Sequence, residues 1–408
     1  MPTGTPYNAF IHPYPIRVDD FSAPDRLPSV PALHLLTHTH SDHLNGLSAK
    51  SFASTIVCSE DAKPMLLRHE VYKERSLKEK EMRAEPLRTF RHLKVDPVEL
   101  EDGTKFYTGS RDLVKTIPLN TPTRCELSNN NYVTITLLDA NHCPGAVMFL
   151  VEGAKGAVLH TGDLRAEPCF LESLTKNPFV QKYLAPTGNV PPSNGVSQTL
   201  EAIYLDTACM FGMNEVPPKV GDEATAGLMS LLELYPPETY FYINSWTWGY
   251  EDILKAIARH FQTKIHVDRY KHRVYSSLTR EPFMQSILTR DPSITRFHAC
   301  ERFDRCDFVK VDGRASHTAS GRHVVYVNPV TMNAEKWKAY VQETKAQLRR
   351  GEEVNTLLVG LSRHSPLPEL QRFVSLFKPR RVVPNTLVPS LGGLDWACIP
   401  SMFKSCLS

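Results

Sequence analysis

The chain has 408 residues and no run of about 20 consecutive apolar ones, so nothing in it is expected to span a membrane. Its opening stretch, MPTGTPYNAFIHPYP, has no basic start followed by an apolar segment, which argues against a secretory signal. The nine cysteines are scattered, and an odd number cannot all pair; a reducing compartment, cytosol or nucleus, is the natural reading. No dense Lys/Arg run marks a nuclear address, KPRR at 378–381 being only a short cluster. No repeat of fixed period is visible. The one stretch of biased composition, 186–198, is rich in Pro, Gly, Asn and Ser and reads as a surface excursion.

What remains is the composition of an ordinary folded chain. Hydrophobic residues make up 41% and charged ones 22%, so a real core is available and disorder is not expected. The length suits two or three domains. A net charge of +3 permits a nucleic-acid partner without demanding one. Short apolar runs bounded by Gly, Pro, Asn or Asp predict buried strands at 32–37, 132–138, 146–151, 157–160 and 202–205. Further strands are predicted at 264–267, 324–327, 356–359 and 381–383. One or two exposed helices are expected within 61–85, and others at 222–235, 250–262, 333–350 and 367–377. The mixture predicts α/β architecture with helices packed over sheets.

The densest chemical signal is THTHSDH at 37–43, directly after the apolar LHLL. Three imidazoles, His38, His40 and His43, and the carboxylate of Asp42 suit a divalent transition metal such as zinc. DANHCPG at 139–145 and HTGD at 160–163 each offer one more ligand, His142 and Asp163, just past an apolar run. A four-coordinate metal needs ligands from several strand ends, and a bridging carboxylate lets one protein hold two metals.

His-x-His-x-Asp-His, a lone His and then Gly-Asp resemble the metallo-β-lactamase superfamily. The fuller strings VDDF, THTHSDH, LLDANHCPGAVMFL, HTGDLR and YLDT resemble its DNA-repair nuclease branch, the Artemis/Apollo group. WTWGYED, KIHVDRYKHRVY and RFHAC look most like fungal Artemis-type members. The resemblance implies a four-layer αββα domain interrupted by an inserted β-CASP α/β domain: residues 1–210, an insertion at 211–330, and a closing part at 331–408. It implies that His38, His40 and His142 hold a first metal and that Asp42, His43 and His364 hold a second, with Asp163 bridging. It further implies supporting roles for Asp19 (in VDDF) and Asp206 (in YLDT), which orient ligands; from the sequence alone either could be an ordinary turn aspartate.

His364 lies in GLSRHS, after the strand signal TLLV. The branch usually has an acidic residue before this histidine, and here Arg363 stands in its place. An arginine beside the second metal would favour phosphate or weaken that metal; it could instead point away. RNA-processing relatives carry a histidine after the late strand, whereas this chain reads RVVPNT, which favours DNA. In the inserted region, His266, His298, Cys300 and Cys306 supply two imidazoles and two thiols, without zinc-finger spacing. From spacing alone they could be reduced core cysteines; the resemblance implies a structural zinc. His298 and Glu251 also match marker positions of the branch.

Two further features carry weaker signals. The segment 73–94 alternates in sign and reads as a solvated helix, although Arg88, Arg91, His92 and Lys94 at its end could touch phosphates. Trp246, Trp248 and Tyr250 could stack on bases or pack a core. The resemblance thus implies a zinc-dependent deoxyribonuclease acting on single-stranded regions or ends of DNA, nuclear, monomeric, without a membrane and with repair-protein partners. The rivals are a small-molecule thioesterase or lactonase of the same fold and a catalytically weak DNA-binding scaffold.

Overall fold

The computed structural model describes residues 6–408 apart from 23–26, 28, 108, 129, 187–197, 213–214, 219–222 and 314. The surface excursion expected at 186–198 therefore lies almost wholly outside the described residues. The chain forms two compact units, Met1–Met210 with Leu367–Ser408, and Phe211–Pro366.

The first unit is built on two sheets. Ile16–Val18, Leu33–Leu35, Ile56–Cys58 and Val114–Thr116 form a four-stranded parallel sheet in that order. The second sheet has six strands, in the order Val382–Pro384, Ala202–Leu205, Gly156–His160, Val147–Gly153, Asn131–Asp139 and Thr123–Ser128. Alternation of side chains explains why both faces of this sheet are buried. Val133, Ile135, Leu137, Phe149, Val151 and Val158 face a core shared with Leu33, Leu35 and Val57 of the other sheet. Leu138, Met148, Leu150, Leu159 and Ile203 face the opposite way, onto the helices Pro168–Thr175, Leu367–Phe377 and Leu394–Phe403. Helix Leu367–Phe377 buries Leu370, Phe373, Val374 and Phe377, the i, i+3, i+4, i+7 stripe of an amphipathic helix. Beyond the four-stranded sheet, Ile56 and Cys58 pack on Ala62 and Leu66 of helix Ala62–Leu67. The layers are helix, sheet, sheet, helix: the αββα arrangement.

Two short helices, Ala62–Leu67 and Tyr72–Glu79, lie within 61–85 as expected, but the charged segment 73–94 is α-helical only as far as Glu79. Its basic end is a turn and a short strand, where His92 Nε2 donates to Leu47 O (3.1 Å) and Lys94 pairs with Asp96 (3.4 Å).

The second unit is a six-stranded, all-parallel sheet. Its order is Leu288–Thr289, Ile265–His266, Phe297–His298, Tyr240–Ile243, Val324–Val330 and Thr356–Gly360. Helix Ala224–Leu232 precedes the first strand of this sheet in sequence, and helices Glu251–Phe261 and Ala334–Arg349 lie in crossovers that parallel pairing requires. Asn333 caps the last of these by accepting from Glu335 N (2.8 Å). Gly227 lets the first approach buried Trp337, since a Cβ there would stand 2.7 Å from the indole. The boundary expected at 330/331 falls at 366/367 instead. The reason is the ladder: Thr356–Gly360 pairs in parallel with Val324–Val330, so the helix and strand that follow residue 330 complete this sheet.

Candidate metal centre

Strand direction brings the ligands of the first unit together. Asn131–Asp139 and Gly156–His160 are each antiparallel to Val147–Gly153, so they run the same way, and Ala202–Leu205 runs parallel to the latter. The residues just past their C-terminal ends, His142, Asp163 and Asp206, therefore share one sheet edge. Leu33–Leu35 of the other sheet delivers the loop that carries His38, His40, Asp42 and His43.

The convergence is close. His40 Nδ1 lies 2.9 Å from His38 Nε2 and 3.1 Å from His142 Nε2. Asp163 Oδ2 is 3.5 Å from His38 Nε2 and 3.4 Å from His142 Nε2. Its other oxygen, Oδ1, is 3.3 Å from His43 Nε2, which in turn is 3.7 Å from Asp42 Oδ2. The two oxygens of one carboxylate thus address two sets of ligands. All these groups are buried except Asp42, whose side chain is 25% exposed.

Hydrogen bonds behind the cluster fix which ring nitrogens carry protons. Asp19, at a left-handed φ of 57° just after Ile16–Val18, accepts from Thr37 N (2.8 Å) and Thr37 Oγ1 (2.6 Å). The threonine proton being so used, His38 Nδ1–H donates to Thr37 Oγ1 (2.9 Å), which leaves His38 Nε2 as a bare lone pair facing the cluster. His43 Nδ1–H donates to Asp19 Oδ2 (2.8 Å), turning His43 Nε2 towards Asp163 in the same way. Lone pairs at these separations suit a shared cation, so the donor set fits a divalent metal. The field agrees. Burial alone would push the His43 imidazole down, but the carboxylates of Asp163 and Asp19 outweigh it and hold His43 well above its ordinary value; the pocket thus favours a positive charge, which a metal ion would supply in place of the proton on Nε2.

Asp206 braces the Asp163 loop: its Oδ2 accepts from Leu164 N (2.8 Å) and its Oδ1 from Ala208 N (3.0 Å). It also has a carboxylate oxygen within 4.8 Å of one of Asp163. Arg165 holds the same loop through a buried two-pronged pair with Glu369, Nε to Oε2 at 3.0 Å and Nη2 to Oε1 at 3.1 Å. Sequence reasoning missed Thr37 and His160. Thr37 carries no ligand signal, being the spacer between Asp19 and His38. His160 accepts from Gly162 N (3.1 Å), and burial pushes it to about 4, so it shapes the turn before Asp163 as a neutral ring.

His364 lies in the second unit, in the loop after Thr356–Gly360. Its neighbour Arg363 donates to Trp248 O (2.7 Å) and covers the Tyr250 ring at 4.9 Å. Trp248 is half-buried and packs on Tyr270 and Tyr275, while Trp246 is 56% exposed. Glu251 is buried at the start of its helix, where it accepts from Gly249 N (2.8 Å) and Tyr275 Oη (2.8 Å); burial pushes its carboxyl up.

The second unit holds its own cluster. His266 and His298 are register partners on neighbouring parallel strands, which sets their rings on one face with the Nδ1 atoms 3.0 Å apart. Cys306 Sγ lies 3.4 Å from His298 Nδ1 and 3.8 Å from His266 Nδ1. His298 Nε2–H donates to Thr295 O (3.0 Å), so Nδ1 is the lone pair. These three have ligand atoms within 4.8 Å of one another, a group that does not include Cys300, which is buried beside Cys306 and His266. Its thiol bonds to Cys306 and His266, and the Cys306 contact together with burial pushes it well up.

With this geometry in view, comparison with known proteins is informative. The family described as DNA repair metallo-beta-lactamase matches residues 282–390. Protein artemis of Rattus norvegicus is 27% identical over 369 residues, covering 87% of this chain and 45% of that protein. Protein artemis of Homo sapiens is 25% identical over 370 residues, again covering 87% and 45%. The 5′ exonuclease Apollo of Rattus norvegicus is 23% identical over 370 residues, covering 91% and 53%. Over most of its length the chain is thus similar to members of the DNA-repair branch of the metallo-β-lactamase fold. It spans about half the length of the curated relatives it matches. A crystal structure of a protein of unknown function from Enterococcus faecalis V583 is similar at TM-score 0.46 and 15% identity, over 90% of this chain and 78% of that one, too loosely to carry weight. The fungal likeness of three second-unit strings stays a proposal.

Proposed function

We propose that this chain is a metal-dependent DNA nuclease that hydrolyses phosphodiester bonds in repair or in the processing of DNA ends. The observation that carries the reading is the divided carboxylate of Asp163, with Oδ2 towards His38 and His142 and Oδ1 towards His43. A carboxylate so placed suits two adjacent cations of the kind that phosphodiester hydrolysis uses. Zinc is the metal best matched to a histidine-rich set. His38, His40 and His142 would hold the first ion, and Asp42 and His43 the second, with Asp163 between them. His364 is assigned to the second set from the resemblance of its loop. Bound there, such ions acidify a water and polarise a phosphoryl oxygen.

The chain's own groups prepare that chemistry. Asp19 and Thr37 hold His38 and His43 in the tautomers that keep their Nε2 atoms free of protons. Asp206 and the Arg165–Glu369 pair fix the loop of Asp163. Asp42, whose side chain is 25% exposed, is proposed to stand where a substrate enters. In the second unit, His266, His298, Cys300 and Cys306 are proposed to hold a structural zinc, since a closed set of nitrogen and sulfur donors leaves no place for water. The family description and the exonuclease name among the relatives support DNA, ends included, as substrate; a preference for unpaired regions, a nuclear location, repair-protein partners and action as a monomer are proposed from the resemblance of the motifs. No helix among the described residues is long and apolar enough to cross a membrane.

The test is cleavage of labelled DNA with 5′-phosphate, 5′-hydroxyl and hairpin ends, beside RNA and a thioester, with and without chelator. The expected result is DNA cleavage abolished by chelator and restored by zinc. Turnover of the thioester alone would make the chain a small-molecule hydrolase, and metal binding without turnover a scaffold.

A further inference from the structure

We propose that Trp246 and Phe303 form a stacking platform that grips one unpaired nucleobase through its face. The inference rests on the reading of DNA as substrate and adds a named element of recognition outside the metal cluster.

Trp246 and Phe303 are 56% and 66% exposed. The guanidinium of Arg302 serves both rings, lying 5.3 Å from the Trp246 centroid and 5.5 Å from that of Phe303. Two large rings left in water around one flat cation make a surface that accepts another flat π-system, and aromatic rings stack on any base. The backbone holds this surface ready. Arg302 and Phe303 sit on the short loop between Cys300 and Cys306, whose thiols are gathered with His266. Arg305 pins the inner side of the loop: it lies 5.0 Å from the centroids of Tyr242 and Tyr326 and donates to Tyr326 Oη (3.1 Å). Phe303 N donates to Glu301 Oε1 (3.3 Å) at the tip. A loop fixed at both ends loses little freedom when it binds, so its contacts convert efficiently into affinity.

Charge decides what part of a nucleic acid fits. Glu301 and Asp304 share the loop with Arg302 and Arg305, and Asp307 follows it, so this is not a basic patch that tracks phosphates. It recognises the base, and a duplex that keeps its bases stacked offers it little.

The experiment uses the full chain and fluorescein-labelled phosphorothioate oligo(dT), which resists cleavage, read by fluorescence anisotropy. Phe303→Ala and Trp246→Ala are each expected to weaken oligo(dT) binding about 10-fold. The dependence of affinity on salt should not change, because no phosphate contact is lost. Thermal midpoints should match the wild type, since both side chains are exposed. An oligonucleotide with abasic positions should bind the wild type as weakly as oligo(dT) binds Phe303→Ala, and the two changes combined should weaken binding no further. Unchanged oligo(dT) affinity in both variants would overturn the platform, as would an equal loss of affinity for blunt duplex. Binding is measured here without cleavage, so a chain that fails to cut DNA can still pass this test, and one that cuts DNA can fail it.

Discussion

The two clusters of donor atoms in this molecule are assembled by opposite means. In the first unit the ligands stand on loops from both sheets, far apart in sequence, and they include the carboxylates of Asp42 and Asp163, with Asp42 partly exposed. In the second unit two adjacent strands and one short loop supply imidazoles and thiols and no carboxylate. Oxygen donors with an open side suit chemistry on a substrate, and nitrogen and sulfur donors drawn closed suit a structural ion. The difference sets a proposed site for exchange beside a proposed site for permanence, distinguished by donor type and by the reach of the backbone that brings the donors together.

The most direct way to break this comparison is Asp42→Ala. Nuclease activity is expected to fall by about 100-fold or more while the thermal midpoint stays near that of the wild type, because the ligand lies at the exposed rim. Wild-type rates in that variant would remove Asp42 from the site. Next in size is the change of Cys300 and Cys306 together to Ser. It is expected to lose one zinc per chain by elemental analysis and to lower the thermal midpoint by several degrees, with the metals of the first unit retained. An unchanged zinc count would make these cysteines ordinary reduced core residues.

A third measurement separates protonation of ligands from protonation of the scaffold. Burial, helped by Arg17, pushes His34 to about 4, and burial with Arg75 does the same to His69. Unfolded imidazoles titrate near 6.5, so the unfolded chain binds more protons between those values. Stability is then fully present above pH of about 6.5 and is lost as pH falls towards 4. In His34→Phe, whose new ring would sit between Phe21 and Phe52, urea midpoints at pH 7 and pH 5 should lie closer together than in the wild type. An equal spread would exclude His34 as a source of acid lability. The smallest effect is expected at Arg363. Its bond to Trp248 O and its place over Tyr250 tie it into its own unit, so Arg363→Asp should leave metal stoichiometry unchanged and cost about 1 kcal/mol of stability. Raised stoichiometry in a calorimetric titration would instead show that the arginine weakens the second metal.

Legibility in the sequence followed the length of the signal. Asn131–Asp139 and Val147–Gly153 are long apolar runs between turn residues, and the sequence reading found them to within two residues. Ile16–Val18, Ile56–Cys58 and Val114–Thr116 have three residues each, too few for a period to show, and they form most of the four-stranded sheet. Tyr240–Ile243 was missed because a short aromatic run after PPET resembles packing as much as pairing. The His-x-His-x-Asp-His cluster stood out because chemistry demands several rare residues close together. The role of Thr37 did not, since a threonine between two functional residues has no signature until Asp19 is brought to it by parallel pairing of Ile16–Val18 with Leu33–Leu35.

The first unit is closed by chain that returns after the whole second unit has been made: Val382–Pro384 pairs beside Ala202–Leu205, and Glu369 locks Arg165 behind Asp163. On the ribosome, at about 5–20 residues per second, the intervening stretch delays this closure by on the order of ten seconds. During that interval the edge of Ala202–Leu205 awaits Val382–Pro384, and Arg165 awaits Glu369. The nested connectivity thus imposes an order of birth, with the inner unit complete before the outer one can be. A nascent chain stalled before residue 367 would present a finished second unit joined to an open, chaperone-dependent first.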